Sequence, residues 1–227
     1  RLNQLVPEFH AFATEQAVAT GVDPTLLEAR LVGRWKSGAP LLLAPLQDDV
    51  TLGNDVTRNN DFSYSSDPQQ RACPYAGHIR KTYPRDDLGG EGPIQIRRIR
   101  RSGIPFGPEV DADETTTKKE RGLMFVCYQT SITEQFEFVQ KSWCNNPEFV
   151  FGKNRPGGGA VNPGFDPLIG QANNGGNRTR TMDEPVPNYP TGNTRSTLTE
   201  PKDFIVPTAG AYLFMPSISG LRTLLQT

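Results

Sequence analysis

The stretch from Cys73 to Thr82 reads CPYAGHIRKT, and the rest of the chain is best understood outward from it. His78 is one of only two histidines in 227 residues. A neutral imidazole is a common metal ligand in proteins, and the neighbouring Arg80 and Lys81 are able to bind anionic groups. A surface or helix-capping role is the ordinary alternative for such a histidine. The surrounding sequence therefore has to decide between the two.

Further blocks accompany this stretch in a fixed order. They read ARLVGRWKSGAP (29–40), CPYAGHIRKTYPR (73–85), RRSGIPFG (100–107), GLMFVCYQTS (122–131), FVQKSWCNN (138–146), GFDPLIGQ (164–171) and AYLFMPSIS (211–219). Each block is weak alone, but the ordered set resembles the C-terminal half of the fungal dye-decolorizing peroxidases. The resemblance runs from about Leu26 to the C-terminus.

The fold class that the resemblance implies is α+β, with an antiparallel sheet and helices packed on one face. It is the ferredoxin-like half of a dimeric α+β barrel haem peroxidase, with haem b between sheet and helices. The mixed order of helices and strands in the sequence also favours an α+β arrangement. Residues 1–227 are then one C-terminal haem-binding half. The chain starts at Arg1 as though cut from something longer, and the N-terminal half, with the family's GxxDG motif and distal aspartate, is absent.

By this resemblance the haem iron is bound on its proximal side by His78. Asp166 is the carboxylate that accepts the ring N–H of His78, although an Asp before Pro167 also suits a simple turn. Arg80 is expected to pair with a haem propionate.

On the distal side the resemblance places Arg101, Leu123 and Phe125. An arginine suits the distal role because it stays charged at any working pH; the alternative is the end of a solvated basic strand. Leu123 and Phe125 alternate along a strand and would wall the distal haem face, and ordinary core packing is their alternative.

Bulky dyes cannot reach a haem walled in this way, so electrons must come from a side chain nearer the surface. The resemblance gives this role to Trp143, because the position occupied by tyrosine in some members is Phe106 here. The helical spacing of Trp143 with Ile132, Phe136 and Val139 fits a core residue equally well. A surface Mn²⁺ site is a further hypothesis, since hard carboxylate oxygens suit that ion; a solvated acidic loop is its alternative. Its ligands would be Glu109, Asp111, Asp113 and Glu114.

Three functions follow as hypotheses. The first is a haem peroxidase that uses hydrogen peroxide to oxidise dyes and phenolic substrates. The second is a haem-binding C-terminal fragment without its own turnover, which needs a separate N-terminal half. The third is a binding module built on the basic cluster from Arg97 to Arg101, which lacks the aromatic stacking partners of nucleic-acid binders.

Composition limits the partners further. The net charge is -1, which favours neither nucleic acid nor a membrane surface. No apolar run approaches the roughly 20 residues of a membrane span. The sequon at Asn177 and the family resemblance favour a secreted protein. The cysteines, Cys73, Cys127 and Cys144, have no metal-site spacing, and at least one must be free or paired elsewhere.

Local patterns predict the elements. Helices are expected over Leu2–Val18, from an Asp23 N-cap with Pro24 in the first turn, over 132–143 and over Ile218–Leu225. Pro74 also supports a helix start just before His78. Strands are expected over Ile94–Arg101, Leu123–Tyr128, Phe204–Val206 and Ala211–Met215. Irregular loops are expected over 40–70 and 151–193.

Overall fold

A computed structural model describes residues 1–90, 92–153, 160–171, 180–185 and 195–225. Helices and short antiparallel strands are interspersed along it, so the predicted α+β class is confirmed. The sequon at Asn177 lies outside the described residues.

Two helices lie near the start of the chain. Helix α1 spans Val6–Thr20 and α2 spans Pro24–Val32. The Asp23 side chain accepts hydrogen bonds from the backbone N–H groups of Thr25 and Leu26, which confirms the predicted N-cap. Gly33 ends α2 with a φ of 94°, in the left-handed region that glycine adopts without strain.

The main sheet has four antiparallel strands in the order β3-β4-β1-β8. The strands are β1 (Leu2–Gln4), β2 (Arg100–Arg101), β3 (Ile104–Phe106), β4 (Gly122–Met124), β5 (Cys127–Tyr128), β6 (Arg180–Pro185), β7 (Arg195–Glu200) and β8 (Ile205–Pro207). Strands β2 and β5 form a separate ladder, as do β6 and β7. Leu2 lies opposite both Leu123 and Pro207, so β1 is paired on both edges.

The remaining helices are short. They are α3 (Val50–Asn54), α4 (His78–Thr82), α5 (Gly92–Gln95) and α6 (Ile218–Leu224), with 3₁₀ turns at Tyr64–Ser66 and Arg85–Leu88 and π-type turns at Ile132–Phe136 and Val139–Cys144. The helical prediction over 132–143 is confirmed, and the terminal helix ends one residue earlier than predicted. The segment 40–70 is largely irregular, as expected.

Several predicted elements are wrong. Leu2–Gln4 is a strand, because pairing with two neighbours outweighs the helical spacing of its apolar residues. Most of Ile94–Arg101 is not a strand; Ile94 lies in α5 and is fully buried, while Ile96 is exposed. Ala211–Met215 has no regular structure and is exposed. Arg180–Pro185 forms a strand where a loop was expected.

Three apolar clusters make up the core. One joins α1 and α2 to β7 through residues such as Phe12, Leu27 and Leu198. A second surrounds Trp35, and a third contains Tyr75, Ile94, Trp143 and Phe149. All three cysteines are free thiols. None of the described helices has the length and apolar character needed to cross a membrane.

Candidate haem-binding site

Helix α4 places His78 at its first residue. The turn before it is closed by a hydrogen bond from Gly77 N–H to the carbonyl of Pro74. The helix begins at His78, in agreement with the helix start predicted just before this residue. The helix packs against the end of α2, where a Cβ on Gly33 would lie 2.4 Å from Ile79 Cγ1. Glycine at this position therefore lets α4 approach α2 closely and fixes the position of His78.

His78 and Asp166 form the central pair. His78 Nδ1 lies 2.9 Å from Asp166 Oδ2, and the Asp166 side chain is fully buried. Asp166 Oδ1 accepts the N–H groups of Leu168 and Ile169, each at 2.9 Å. Asp166 therefore makes its turn and binds His78 at the same time, so the two alternatives for this residue are both realised.

The charge of Asp166 is set by these contacts. Burial alone would raise the pKa of its carboxyl, but the charge and hydrogen bond of His78 and the two backbone N–H groups outweigh burial and lower it. An ionised carboxylate can only accept hydrogen bonds, so Nδ1 of His78 donates.

The other ring nitrogen of His78 remains available. Within the described parts of the chain, no hydrogen bond is made to Nε2, and the side chain is 19% exposed. A histidine whose one nitrogen donates to a buried carboxylate while the other is free has the arrangement of a metal-ligating histidine. The donor set thus fits a haem iron.

The prediction that Arg80 pairs with a propionate is wrong. Its guanidinium is fully buried, and all five N–H donors are used within the protein. They bind the carboxylates of Asp87 and Asp67 and the carbonyls of Asp67 and Cys73. Arg80 also lies over the rings of Tyr64 and Tyr75, each 4.4 Å from the centroid. It stabilises the core behind α4 and has no donor left for a ligand.

Lys81 is equally buried and binds backbone carbonyls rather than an external anion. The interpretation that Arg80 and Lys81 bind anionic groups is therefore wrong, because both side chains point into the interior of the protein.

The residues predicted on the distal side lie on β2 and near β4. Arg101 is exposed on β2, opposite Cys127, and makes no hydrogen bond or ion pair through its side chain to any described residue. Leu123 packs closely against Gly103, where a Cβ would lie 2.9 Å from its Cδ1. The ring of Phe125 lies 6.0 Å from that of Phe136. Leu123 and Phe125 are both half-buried.

Two arginines outside the predicted set converge on Asn60. Arg34 Nη2 binds Asn60 Oδ1 at 2.6 Å, and Arg85 Nη1 binds the Asn60 carbonyl at 3.1 Å. Burial lowers the pKa of Arg34, Tyr64 acts in the opposite sense, and the positive charges of Arg85 and Arg101 lower it further. Arg34 and Arg85 thus bring two positive charges together at Asn60, and neither has an ion-pair partner among the described residues. Arg34 and Arg85 lie in the sequence blocks 29–40 and 73–85 that carry the family resemblance. Their position in these blocks was the signal by which they could have been found.

Arg85 also has an uncommon backbone conformation. Its φ is 47°, in the left-handed region that residues other than glycine rarely adopt. Its guanidinium lies 3.7 Å from the centroid of the Phe62 ring. A strained residue persists only where its surroundings hold it, and such residues cluster at functional sites.

The electron-transfer hypothesis expected Trp143 to lie near the surface, but its side chain is buried. It is 4% exposed and stacks on Phe149 at 5.2 Å and 10°. Phe138 packs edge-on against it. A dye cannot touch this indole directly in this structure, so packing is its observed role.

The predicted Mn²⁺ site is also wrong. Glu114 accepts two hydrogen bonds from Arg121, which lower the pKa of its carboxyl to about 2, and Asp111 binds Lys119. In the described part of the chain, no group of three or more His, Cys, Asp or Glu side chains could hold a metal ion. Two of the four proposed ligands, Asp111 and Glu114, are thus already paired with the protein's own cations, Lys119 and Arg121.

Comparison with known proteins decides the family. Residues 30–150 match the family model described as Dyp-type peroxidase, C-terminal. The chain belongs to the Dyp-type peroxidase family. The matched residues contain His78, Arg101 and the two converging arginines.

Individual relatives agree with this family. Peroxidase 2 from Mycetinis scorodonius is 41% identical, over 100% of this chain and 45% of its own length. A variant of the dye-decolorizing peroxidase from Pleurotus ostreatus matches with a TM-score of 0.75 and 42% identity, over 91% of this chain and 46% of that one. A dye-decolorizing peroxidase solved with 2,6-dimethoxyphenol matches with a TM-score of 0.74 and 38% identity, again over 91% and 46%. The chain spans about half the length of the Dyp-type relatives it matches.

Proposed function

We propose that this chain is the C-terminal, haem-binding half of a peroxidase that uses hydrogen peroxide to oxidise dyes and phenolic substrates. The observation that carries the proposal is the His78 ring, held by Asp166 through Nδ1 and free at Nε2, in a member of the Dyp-type family. The structure solved with 2,6-dimethoxyphenol supports phenols as a substrate class for relatives.

His78 would hold the iron of haem b through Nε2. A bound haem would supply the redox chemistry by which peroxide is reduced. Asp166 keeps the Nδ1 proton in place and fixes the plane of the ring, which raises the basicity of Nε2.

Arg34 and Arg85 take the role that Arg80 cannot perform. Together they supply positive charge without a carboxylate partner among the described residues. The two propionates of haem are anions that such a cluster would bind by charge-assisted hydrogen bonds.

Arg101 would act on peroxide itself. Its exposed guanidinium carries a fixed charge and several N–H donors, which stabilise negative charge on the oxygen that departs from peroxide. Leu123 and Phe125 would form apolar walls that limit which substrates reach this point.

By the family resemblance the distal proton carrier belongs to an N-terminal half, and this chain spans about half the length of the relatives it matches. The alternative function, a haem-binding fragment that needs a separate N-terminal half for turnover, is therefore retained. The exposed side chains of Leu213, Phe214 and Met215 support it, because an apolar patch of this kind is usually covered by a partner. We propose an extracellular location on the basis of the sequon at Asn177.

The test combines haem uptake with dye bleaching. The chain is titrated with haem b and the Soret band is followed; peroxide-dependent bleaching of an anthraquinone dye is then measured with and without the N-terminal half of a relative. We expect a saturable Soret band in both cases. Bleaching by the chain alone supports the autonomous enzyme, whereas bleaching only with the added half supports the fragment. Absence of saturable haem uptake would refute both.

A further inference from the structure

Lys81 carries a charge in a place where lysine is rarely found. Its side chain is fully buried, and Nζ donates to the carbonyls of Trp143 at 3.1 Å, Asn146 at 2.7 Å and Phe149 at 2.7 Å. Lysine is almost never fully buried unless it is paired. Three neutral carbonyls are its hydrogen-bond partners, and no carboxylate in the described part of the chain forms an ion pair with it.

The carbonyls that bind Lys81 lie in the segment that anchors Asp166. Within residues 143–149, the carbonyl of Cys144 accepts the N–H of Asp166 at 3.0 Å. The carbonyl of Pro147 accepts the N–H of Gly164 at 2.7 Å. Lys81 therefore binds three carbonyls of this segment, and two other carbonyls of the same segment bind the loop that carries Asp166.

Helix α4 thus reaches the Asp166 loop by two routes. His78 and Lys81 are three residues apart on the helix, and residues at this spacing share a face. His78 contacts Asp166 directly, whereas Lys81 acts through residues 143–149.

Charge adds a second link between Lys81 and Asp166. A fully buried carboxylate requires compensation by hydrogen bonds or positive charge. Burial lowers the pKa of Lys81 to about 8, and the negative charge of Asp166 acts in the opposite sense. Among the described contacts Lys81 makes no hydrogen bond with Asp166, so its effect on the carboxylate is indirect.

We propose that Lys81 is the positioning residue of the His78–Asp166 pair. Its three hydrogen bonds fix the segment that holds the Asp166 backbone, and its charge offsets the charge of the buried carboxylate. The inference rests on the proposed function only where His78 is taken as the haem ligand. A lysine that served folding alone would stabilise the chain without affecting the histidine.

The test uses the haem-free chain, so it does not depend on haem uptake. Lys81→Met removes the charge and keeps most of the length, and Lys153→Met is the matched control, because Lys153 binds Asp87 instead. Nuclear magnetic resonance on ¹⁵N-histidine-labelled protein follows the Nδ1–H signal of His78, and a His10→Gln version assigns the only other histidine.

Lys81→Met is expected to speed exchange of the His78 Nδ1–H with water by about tenfold or more, measured at the same interval below each melting temperature. Lys153→Met should leave this exchange unchanged. A Lys81→Met protein that melts earlier but keeps the wild-type exchange and chemical shift would overturn the inference. If Lys81→Met does not fold, Lys81→Gln replaces it, because glutamine retains hydrogen-bond donors without the charge. A wild-type exchange rate of the His78 Nδ1–H in Lys81→Gln would overturn the charge-based role.

Haem loading separates this inference from the proposed function. In the loaded chain, Lys81→Met should lower the reduction potential of the iron, because removing the compensating cation leaves more negative charge on the His78–Asp166 pair. Altered exchange together with an unaltered potential would support Lys81 as the positioning residue and count against His78 as the ligand. An unaltered exchange and an unaltered potential together would refute the role of Lys81.

Discussion

The two histidines of the chain lie in regions that share a pairing and differ in what surrounds it. His10 Nδ1 lies 2.5 Å from Glu28 Oε1, just as His78 Nδ1 contacts Asp166. The Glu28 side chain retains some exposure, and its second oxygen lies 3.5 Å from Lys36, which is itself largely solvent-exposed. Asp166 is fully buried, and its second oxygen is occupied by two backbone N–H groups.

The difference shows what makes a histidine–carboxylate pair suitable for a cofactor. The His10 pair joins α1 and α2, and solvent competes for His10, whose side chain is 35% exposed. The His78 pair is held from the protein side by fixed groups, so the position of the free Nε2 is determined before any ligand binds. Four substitutions test this contrast, from the largest expected effect to the smallest.

The largest effect is expected from His78→Ala. Removal of the imidazole deletes the proposed iron ligand, so saturable haem binding should be lost, as followed by the Soret band. His10→Ala is the matched control and should bind haem as the wild type does. Equal retention of haem by both variants would abolish the distinction between the two regions.

Arg101→Leu tests whether the His78 region suffices without the distal cation. Haem binding should survive, while the rate of reaction of the loaded chain with peroxide falls by about 10²–10³-fold, the effect of losing one preorganised charge donor. Stopped-flow absorbance measures this rate. Arg100→Leu, on the neighbouring position of β2, is the control; equal losses in both would indicate a general effect of charge on this strand.

Asp166→Asn sharpens the comparison at the carboxylate. The amide keeps the shape and loses the charge, so haem affinity should fall by about 10–100-fold, as for other partners of metal-bound histidines. Glu28→Gln makes the same change beside His10 and should leave the affinity unaltered. Haem titration at several concentrations measures both. Wild-type affinity in Asp166→Asn would show that the pair is structural.

The smallest effect is expected from Trp143→Phe. The ring stays apolar in a buried stack, so the free energy of unfolding should fall by less than about 1.5 kcal/mol. Bleaching of a bulky dye and oxidation of a small phenol, measured with the N-terminal half of a relative present, should both be retained. Selective loss of dye bleaching would restore the electron-relay role that burial of Trp143 argues against.

Local signals and ordered motifs predicted part of this structure. The Asp23 cap and the pairing of His78 with Asp166 follow from residue types or from the resemblance. The short strand Leu2–Gln4 could not be predicted, because its partners are more than 100 residues away and a helical spacing is equally present in its sequence.

Long-range pairing also explains the errors at the site. Arg80 lies beside His78 in the sequence, but Asp67 and Asp87 draw its guanidinium into the core. The convergence of Arg34 and Arg85 on Asn60 could not be predicted, since nothing in the local sequence relates residues 51 positions apart. The burial of Trp143 depends on Phe149 in the same way.

The central claim is that His78 binds the haem iron through Nε2 while Asp166 holds Nδ1. Resonance Raman spectroscopy of the reduced, haem-loaded chain, prepared with ¹⁵N-labelled histidine, tests it most directly. The account predicts an iron–histidine stretching band that shifts on labelling, moves to lower frequency in Asp166→Asn and keeps its position in Glu28→Gln. A spectrum without a label-sensitive band, or the same band persisting in His78→Ala, would contradict it.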